Sequence, residues 1–367
     1  MLNYKKWTQP PNSLIKSIKA SRAAYRRLGN SGLLVSNPIL GGMHIGDPRW
    51  YDWVLDEKDS IALLKAAYDR GINTWDTANI YSNGESERIM GRALRSHNIP
   101  RSKVVIMTKC FRAVTDPDVD GDIGSSTAFF PDLTRQSKDY VNHCGLSRAS
   151  VFQQVEASLR RLNTDYIDVL HIHRFDHHVP PEETMKALHD LVQMNKVRYL
   201  GASSMWAHEF AILQHTAEKN NWTKFVSMQN HYNLLYREEE REMIKYCNLT
   251  GVGLIPWGPL AAGKLARPPD EKASTFRAIN GGAYKDHNPA ESEQIARRVH
   301  QIAVSRGVPM SHVALAWLNK RVVSPVIGLS SVERMDEVLD ARALELSDEE
   351  ESRLEDPYKA QPPQGHS

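Results

Sequence analysis

Residues 151–204 read VFQQVEASLRRLNTDYIDVLHIHRFDHHVPPEETMKALHDLVQMNKVRYLGASS and contain two helix–strand units in succession. Apolar residues recur three or four positions apart over 151–162 and again over 185–192, which predicts two helices that each bury one face. A short β-like run follows each of them, at 167–170 and at 197–200. Strands that alternate with helices predict a parallel sheet covered by helices.

The same alternation continues along most of the chain. Eight β-like runs occur, at residues 39–40, 72–74, 104–107, 167–170, 197–200, 225–226, 252–255 and 322–327. A doubly wound sheet also alternates, but it should carry a GxGxxG turn after its first strand, and Leu40-Gly41-Gly42-Met43 does not match that turn. The sequence therefore predicts an α/β protein with a (β/α)8 TIM barrel.

Further features mark the boundaries of this barrel. Asn30-Ser31-Gly32 lies between β-prone pieces and predicts an N-terminal β-hairpin over residues 25–36. Long loops are expected after strand 3, at 111–145, and after strand 7, at 259–289. With no internal repeat in the sequence, we expect a flexible basic tail at 1–24, a single domain at 25–356 and a disordered tail at 357–367.

Composition limits the kinds of partner. The chain has 46 Lys and Arg against 44 Asp and Glu, a net charge of +2, so it offers no general field for nucleic acid or for an anionic membrane. A small-molecule partner is expected instead. Three cysteines at unrelated spacings predict free thiols in a reducing compartment. No apolar run approaches the ~18 residues of a membrane span.

Location and assembly follow less directly from the sequence. No secretion signal opens the chain, so a cytoplasmic location is expected. Residues 1–46 contain no Asp or Glu and several Lys and Arg, which keeps mitochondrial import as an alternative. The oligomeric state stays open.

Polar residues gather where the predicted strands end. Asp76 follows the second strand, Lys109 the third and His173 the fourth, and Tyr81 lies one short loop beyond Asp76. The carboxyl ends of barrel strands carry the chemistry of this fold, so we expect these four side chains to converge. Lys109 would assist Tyr81 as a proton donor, Asp76 would hold Lys109, and His173 would donate to a substrate oxygen.

A metal site is the alternative use of the histidines. His171 and His173 lie two residues apart on one strand and therefore share a face. No cysteine or carboxylate stands beside them at a recognisable ligand spacing. We expect no metal, and we interpret His171 as a buried, hydrogen-bonded imidazole.

The segment from Asp76 to Glu87 reads DTANIYSNGESE and resembles the D-x-A-x-x-Y…G-x-S-E motif of the aldo-keto reductase superfamily. The resemblance extends from Tyr25 to about Leu339. It implies that a hydride passes from NADPH to an aldehyde or ketone, and that Asp76, Tyr81, Lys109 and His173 form the catalytic tetrad.

The resemblance also implies the cofactor contacts. Ser203 and Gln229 match the residues that hold the nicotinamide carboxamide, Trp257 matches the aromatic residue stacked on the ring, and Ser204 stands where Asn is common. The first strand and the pyrophosphate loop supply Gly41, Gly42, Met43, Gly258, Pro259, Leu260 and Ala261. Gly328, Ser330 and Arg334 match the grip on the adenosine 2′-phosphate, so NADPH/NADP+ is expected. Ser330 and Glu333 also have the spacing of a capping box, which predicts a helix start there.

Two segments, 167–176 and 227–235, look like those of fungal reductases related to versiconal hemiacetal acetate reductase and aryl-alcohol dehydrogenases. This implies an aromatic or polyketide-derived carbonyl substrate. The substrate site is expected to include Tyr81 and His173, with walls from Trp50, Trp53, Phe111, Phe129, Phe130 and Arg174. The tryptophans could instead only pack their loop.

Two other functions remain open. The same tetrad can oxidise aryl alcohols in the reverse direction. The superfamily also contains channel β subunits, so a non-catalytic, cofactor-sensing subunit is the alternative from another class, and turnover distinguishes it from an enzyme.

Overall fold

The computed structural model describes residues 9–115, 124, 126–271 and 285–366. Eight parallel strands form its central sheet in the order of the chain, with the eighth also paired to the first, so that the seventh and eighth are the outer strands. The outer strands meet, because Val326 N donates to Pro256 O at 2.8 Å and Trp257 forms a parallel bridge with Val326. The fold is therefore a (β/α)8 barrel, as predicted.

Two strands precede the barrel, and eight build it. The hairpin strands are β1 (Ala24–Arg27) and β2 (Leu34–Asn37). The barrel strands are β3 (Ile39–Gly41), β4 (Thr74–Asp76), β5 (Val105–Cys110), β6 (Ile167–Ile172), β7 (Val197–Ser203), β8 (Phe225–Gln229), β9 (Gly253–Leu254) and β10 (Val326–Ile327). The second barrel strand starts later than the predicted 72–74, because Ile72 N and Asn73 N bond to Ala67 O and Gly71 O in the turn that ends the preceding helix.

Helices cover the outside of the barrel. Those of the described residues are α1 (Asn12–Ala20), α2 (Glu57–Asp69), α3 (Glu85–Ser96), α4 (Pro131–Thr134), α5 (Arg148–Leu162), α6 (Pro181–Gln193), α7 (Ala207–Lys219), α8 (Met243–Thr250), α9 (Pro289–Arg306), α10 (Met310–Asn319), α11 (Val332–Asp340) and α12 (Asp348–Glu355). α5 begins where Ser147 accepts a hydrogen bond from Ser150 N, and it ends at the left-handed Asn163. Within the described ranges, no helix is both long enough and apolar enough to cross a membrane.

The hairpin closes the amino-terminal end of the barrel. β1 and β2 pair antiparallel, and Asn30 N donates to Gly251 O at 2.8 Å just before β9. Gly29 has a φ of +58°, and a Cβ atom there would lie 2.4 Å from Gly251 O, so only glycine allows this approach. Leu28 and Val35 of the hairpin are fully buried in one cluster with Ile39, Met107, Val169, Ile255 and Val326.

The two tails differ from the sequence prediction. Residues 12–20 of the predicted flexible tail form α1, and Arg22 N and Ala23 N bond to Arg70 O. The predicted disordered C-terminal tail packs on the domain over residues 357–366, where Gln361 is buried and its amide donates to Leu235 O at 2.8 Å. A Pro- and Gln-rich composition disfavours helix and strand, but it allows an extended chain held by side-chain hydrogen bonds.

Some of the predicted features lie outside the described residues. These are residues 1–8 of the basic tail, Ser367 of the C-terminal tail, and parts of the two long loops at 116–123, 125 and 272–284.

Candidate active site

A buried ion pair lies at the carboxyl end of the barrel strands. Asp76 is the last residue of β4, and Lys109 lies on the neighbouring strand β5. Lys109 Nζ donates to Asp76 Oδ2 at 2.6 Å and to Thr77 O at 2.8 Å, and it lies 3.5 Å from Tyr81 Oη. The side chains of Asp76 and Lys109 are only 2% and 1% exposed, so each charge depends on the other for stabilisation.

Burial and charge act in opposite directions on this pair of proton carriers. Burial alone lowers the pKa of Lys109, but Asp76 and Tyr81 outweigh it and raise that pKa, so the ammonium stays charged. Burial raises the pKa of Tyr81 more than the charge of Lys109 lowers it. Lys109 therefore acts in the predicted direction, while burial keeps Tyr81 a neutral phenol at neutral pH.

His173 completes the tetrad from the next strand. It directly follows β6, its N–H donates to Cys110 O at 2.9 Å, and its ring lies 6.4 Å from the Tyr81 ring at 81°. Burial, and then the charges of Arg174 and Lys109, lower the pKa of His173 well below its usual value. A neutral imidazole donates a hydrogen bond to a carbonyl oxygen without protonating it.

The other histidine, His171, lies on β6 and has a structural role. His171 Nε2 lies 3.1 Å from Ser227 Oγ, and burial lowers the pKa of His171 to about 3. This agrees with the predicted buried, hydrogen-bonded imidazole. In the part of the chain that the structure describes, no group of three His, Cys, Asp or Glu side chains is arranged to hold a metal ion.

The end of the DTANIYSNGESE motif anchors the Tyr81 loop, a role that the sequence analysis did not assign. Ser86 Oγ donates to Gly42 O at 2.9 Å and so links α3 to β3. Glu87 is fully buried and accepts hydrogen bonds from Thr108 Oγ1 and Arg161 Nε, both at 2.6 Å. The signal in the sequence was a carboxylate on the apolar face of a helix, which is costly to bury without a partner.

The predicted nicotinamide contacts lie beside the tetrad. Gln229 Nε2 donates to Asp76 Oδ1 at 2.9 Å, and Ser203 Oγ donates to Gln229 O at 2.7 Å. Ser204 Oγ accepts from Trp257 Nε1 at 3.1 Å, so the residue that departs from the common Asn holds the predicted stacking residue. Asn230 was not predicted, yet both polar atoms of its amide are buried without a hydrogen-bond partner among the described residues.

The predicted phosphate contacts fall on two turns. Gly258 and Ala261 have φ angles of +68° and +48°, which turn the 258–261 loop sharply after β9. Gly328 and Ser330 are exposed beyond β10, and Arg334 Nη1 donates to Ser330 Oγ at 2.9 Å. The cap of α11 is Ser331, which accepts from Arg334 N, and not the predicted Ser330.

The first-strand contacts Gly41, Gly42 and Met43 lie where β3 ends beside Asp76. A Cβ atom on Gly42 would lie 2.8 Å from Asp76 O, so the two strands approach closely here.

An aromatic loop stands over Tyr81. Trp50 is 7% exposed, and its ring lies 6.4 Å from the Tyr81 ring. Tyr51 contacts Trp50 at 4.6 Å, and Trp53 stacks on Tyr51 at 5.5 Å and 13°. The loop is fixed at its base, since Leu55 N donates to His44 O at 2.7 Å and Asp47 N to Ser82 Oγ at 3.2 Å. This wall includes Tyr51, which was not predicted.

The other predicted substrate residues differ in position. Arg174 is half-buried, its Nη1 donates to His173 O at 2.6 Å, and its charge lowers the pKa of Tyr81 and of His173. Phe111 packs against the hydrophobic core. Phe129 and Phe130 are 56% and 57% exposed, so the structure does not bring them into an enclosed wall.

A closed (β/α)8 barrel whose upper rim holds a buried Asp–Lys pair against a tyrosine and a neutral histidine defines an oxidoreductase of the aldo-keto reductase class. The chain belongs to the Aldo/keto reductase family, which matches residues 39–359. Enzymes of this family reduce carbonyl compounds with NAD(P)H, and this protein is such an enzyme.

Three similar proteins come from fungi. The chain is 79% identical over 366 residues to an aldo-keto reductase of Alternaria alternata, with 100% of each chain covered. It is 48% identical over 339 residues to the versiconal hemiacetal acetate reductase of Aspergillus parasiticus, covering 91% of this chain and 96% of the other. It is also 48% identical over 354 residues to a candidate aryl-alcohol dehydrogenase of Schizosaccharomyces pombe, covering 93% and 97%.

Proposed function

We propose that this enzyme uses NADPH to reduce an aromatic or polyketide-derived aldehyde or ketone to an alcohol. The observation that carries the proposal is the buried Asp76–Lys109 pair with Tyr81 Oη 3.5 Å from Lys109 Nζ. When bound, the cofactor supplies a hydride to the carbonyl carbon.

Each of the four side chains of the tetrad has a different role in the reaction at the carbonyl oxygen. Tyr81 donates the proton, and the Lys109 ammonium stabilises the phenolate that this leaves. Asp76 keeps Lys109 charged and in place through the 2.6 Å contact. His173 donates a hydrogen bond that orients the carbonyl oxygen toward Tyr81.

The choice of NADPH over NADH rests on the start of α11. A helix N-terminus attracts anions, and Ser331 already satisfies one of its N–H groups. Arg334 and Ser330 are both exposed and hydrogen-bonded to each other, so a phosphate can receive donors from both. The buried amide of Asn230, next to Gln229, has no partner within the described ranges and is a further polar group that a bound nicotinamide carboxamide would satisfy.

The aromatic character of the substrate rests on the Trp50 loop. Trp50, Tyr51 and Trp53 form a continuous aromatic wall beside the phenol that donates the proton. Trp50 Nε1 is also a buried donor that has no partner in the part of the chain that the structure describes. A second oxygen on the substrate, as polyketide-derived carbonyls carry, would satisfy it. The related versiconal hemiacetal acetate reductase bears the name of such a substrate.

The free cysteines Cys110, Cys144 and Cys247 support a reducing compartment such as the cytoplasm. Oxidation of aryl alcohols uses the same residues in reverse, and the ratio of NADP+ to NADPH decides the direction.

The test is steady-state NADPH oxidation with aromatic aldehydes and with polyketide-like carbonyls. Tyr81→Phe keeps the ring and removes the proton donor, so we expect turnover to fall by about 10²–10⁴ with NADPH affinity retained. A wild-type protein that binds NADPH but reduces no carbonyl faster than Tyr81→Phe would refute the proposal and favour a cofactor-sensing subunit.

A further inference from the structure

Three rings are stacked face to face, and one of them is Trp257, the predicted nicotinamide contact. The His231 ring lies 4.1 Å from the Trp257 ring at an interplanar angle of 5°. The Tyr236 ring lies 4.4 Å from the other side of His231 at 15°. We call Trp257, His231 and Tyr236 the aromatic column.

The middle ring of the column is neutral and fixed in orientation. Burial lowers the pKa of His231 to about 3, so the imidazole carries no charge at neutral pH. Asn233 Nδ2 lies 3.2 Å from His231 Nε2, and because an amide NH2 group only donates, Nε2 is the acceptor. The same Asn233 Nδ2 lies 2.8 Å from Gly258 O, which ties the column to the loop after β9.

The C-terminal segment holds the far end of the column. Gln364 N donates to Tyr236 Oη at 2.9 Å. On either side of this contact, Gln361 N donates to Glu238 Oε1 at 2.9 Å, and His366 Nε2 pairs with Glu239 Oε1 at 2.6 Å. The His366 ring also contacts the Trp206 ring at 4.7 Å, two residues after Ser204.

The geometry points to a role for this arrangement in cofactor binding. We propose that His231 and Tyr236 are positioning residues, and that the C-terminal segment 361–366 braces them so that Trp257 presents a fixed face to the nicotinamide ring. This inference rests on the proposed use of NADPH, which it deepens.

The aromatic column can be tested separately from the predicted 2′-phosphate contacts at Ser330 and Arg334. The two ligands to compare are NADPH and 2′,5′-ADP, which has the 2′-phosphate but no nicotinamide, and their Kd values are measured by calorimetry. His231→Leu removes the middle ring, whereas His231→Phe keeps a stacking ring. We expect His231→Leu to raise the Kd of NADPH on the order of threefold to tenfold, the range of one aromatic pair, with the Kd of 2′,5′-ADP unchanged. His231→Phe should stay near the wild type.

The brace is tested by a matched pair at Gln364. Gln364→Pro removes the N–H that reaches Tyr236 Oη, whereas Gln364→Ala keeps it and loses only the side-chain contact with Lys285 O. We expect Gln364→Pro, and also Tyr236→Phe, to weaken NADPH binding about twofold to fivefold, and Gln364→Ala to have no effect.

The remaining outcomes separate the two proposals. The positioning role would be overturned if the wild type and His231→Leu bind NADPH with equal Kd values. It would also be overturned if His231→Leu loses affinity for NADPH and for 2′,5′-ADP equally. Equal effects of Gln364→Pro and Gln364→Ala would overturn the brace. A wild-type protein that binds 2′,5′-ADP and NADPH equally poorly would instead refute the proposed function itself.

Discussion

Lys109 Nζ lies 3.5 Å from Tyr81 Oη, and burial raises the pKa of this phenol by more than the ammonium lowers it. The proposed proton donor is therefore already protonated at neutral pH, and the pKa of His173 is too low for it to take up a proton there. Reduction requires the neutral phenol, so activity is lost only as pH rises through the raised pKa of Tyr81.

The first prediction is a flat pH profile for reduction. We expect kcat to stay constant from about pH 7 to about pH 9 and to fall only beyond the ordinary range of a tyrosine, about 10. The measurement is kcat with an aromatic aldehyde at saturating NADPH, and single-turnover rates serve as the control for product release. A kcat that titrates between about pH 6 and about pH 8 would contradict this assignment of the proton donor.

The second prediction concerns the choice of cofactor. Arg334→Ala removes an exposed guanidinium at the start of α11. We expect the Kd of NADPH to rise about tenfold or more, since a hydrogen bond to a charged group contributes about 1.5–3 kcal/mol. The Kd of NADH should not change, and fluorescence titration measures both. If the variant loses affinity for NADPH and for NADH equally, Arg334 does not recognise the 2′-phosphate.

The third prediction concerns the aromatic wall. Trp50→Ala should lower kcat/KM for aromatic aldehydes by about tenfold, because the ring beside Tyr81 no longer packs against the substrate. The kcat/KM for small aliphatic aldehydes should fall less. Trp50→Phe keeps a ring and is the matched control, so it should retain most of the activity on aromatic substrates. Equal losses on both aldehyde classes would show that Trp50 only packs its loop.

The fourth prediction concerns stability away from the chemistry. Arg161→Met leaves the fully buried Glu87 carboxylate without its cation, and removal of one partner of a buried pair costs about 3–5 kcal/mol. We expect urea unfolding to show a loss of this size. The double variant Arg161→Met with Glu87→Gln should recover a substantial part of it, because no buried charge then remains. A single variant as stable as the double would argue against the pairing.

The barrel could be predicted because its determinants are periodic and local. Apolar residues on one face predict the helices over 148–162 and 181–193, and a β-prone run follows each helix. Asp76, Lys109 and His173 were predictable because they lie at or just beyond the carboxyl ends of strands that meet at one rim. Their contact distances confirm that the three side chains converge there with Tyr81.

Contacts between distant segments could not be predicted in this way. Gln361 and Gln364 lie in a stretch without hydrophobic periodicity, and their order depends on Glu238, Leu235 and Tyr236 more than 120 residues away. The predicted cap of α11 was wrong by one residue. Ser330 and Ser331 are equivalent acceptors in sequence, and only the backbone direction after β10 decides between them. Phe129 and Phe130 were expected in the pocket from their position in the long loop after strand 3, but the sequence carries no information on where such a loop turns.

The closed lower end of the barrel has a consequence for the supply of protons. The hairpin places Leu28 and Val35 in a fully buried apolar cluster below the site, and His171 above it is hydrogen-bonded and neutral. Among the described residues, the buried side chains of this cluster are all apolar, so they carry no exchangeable proton. We therefore expect Tyr81 to regain its proton from the upper rim of the barrel, by the route that the alcohol takes when it departs.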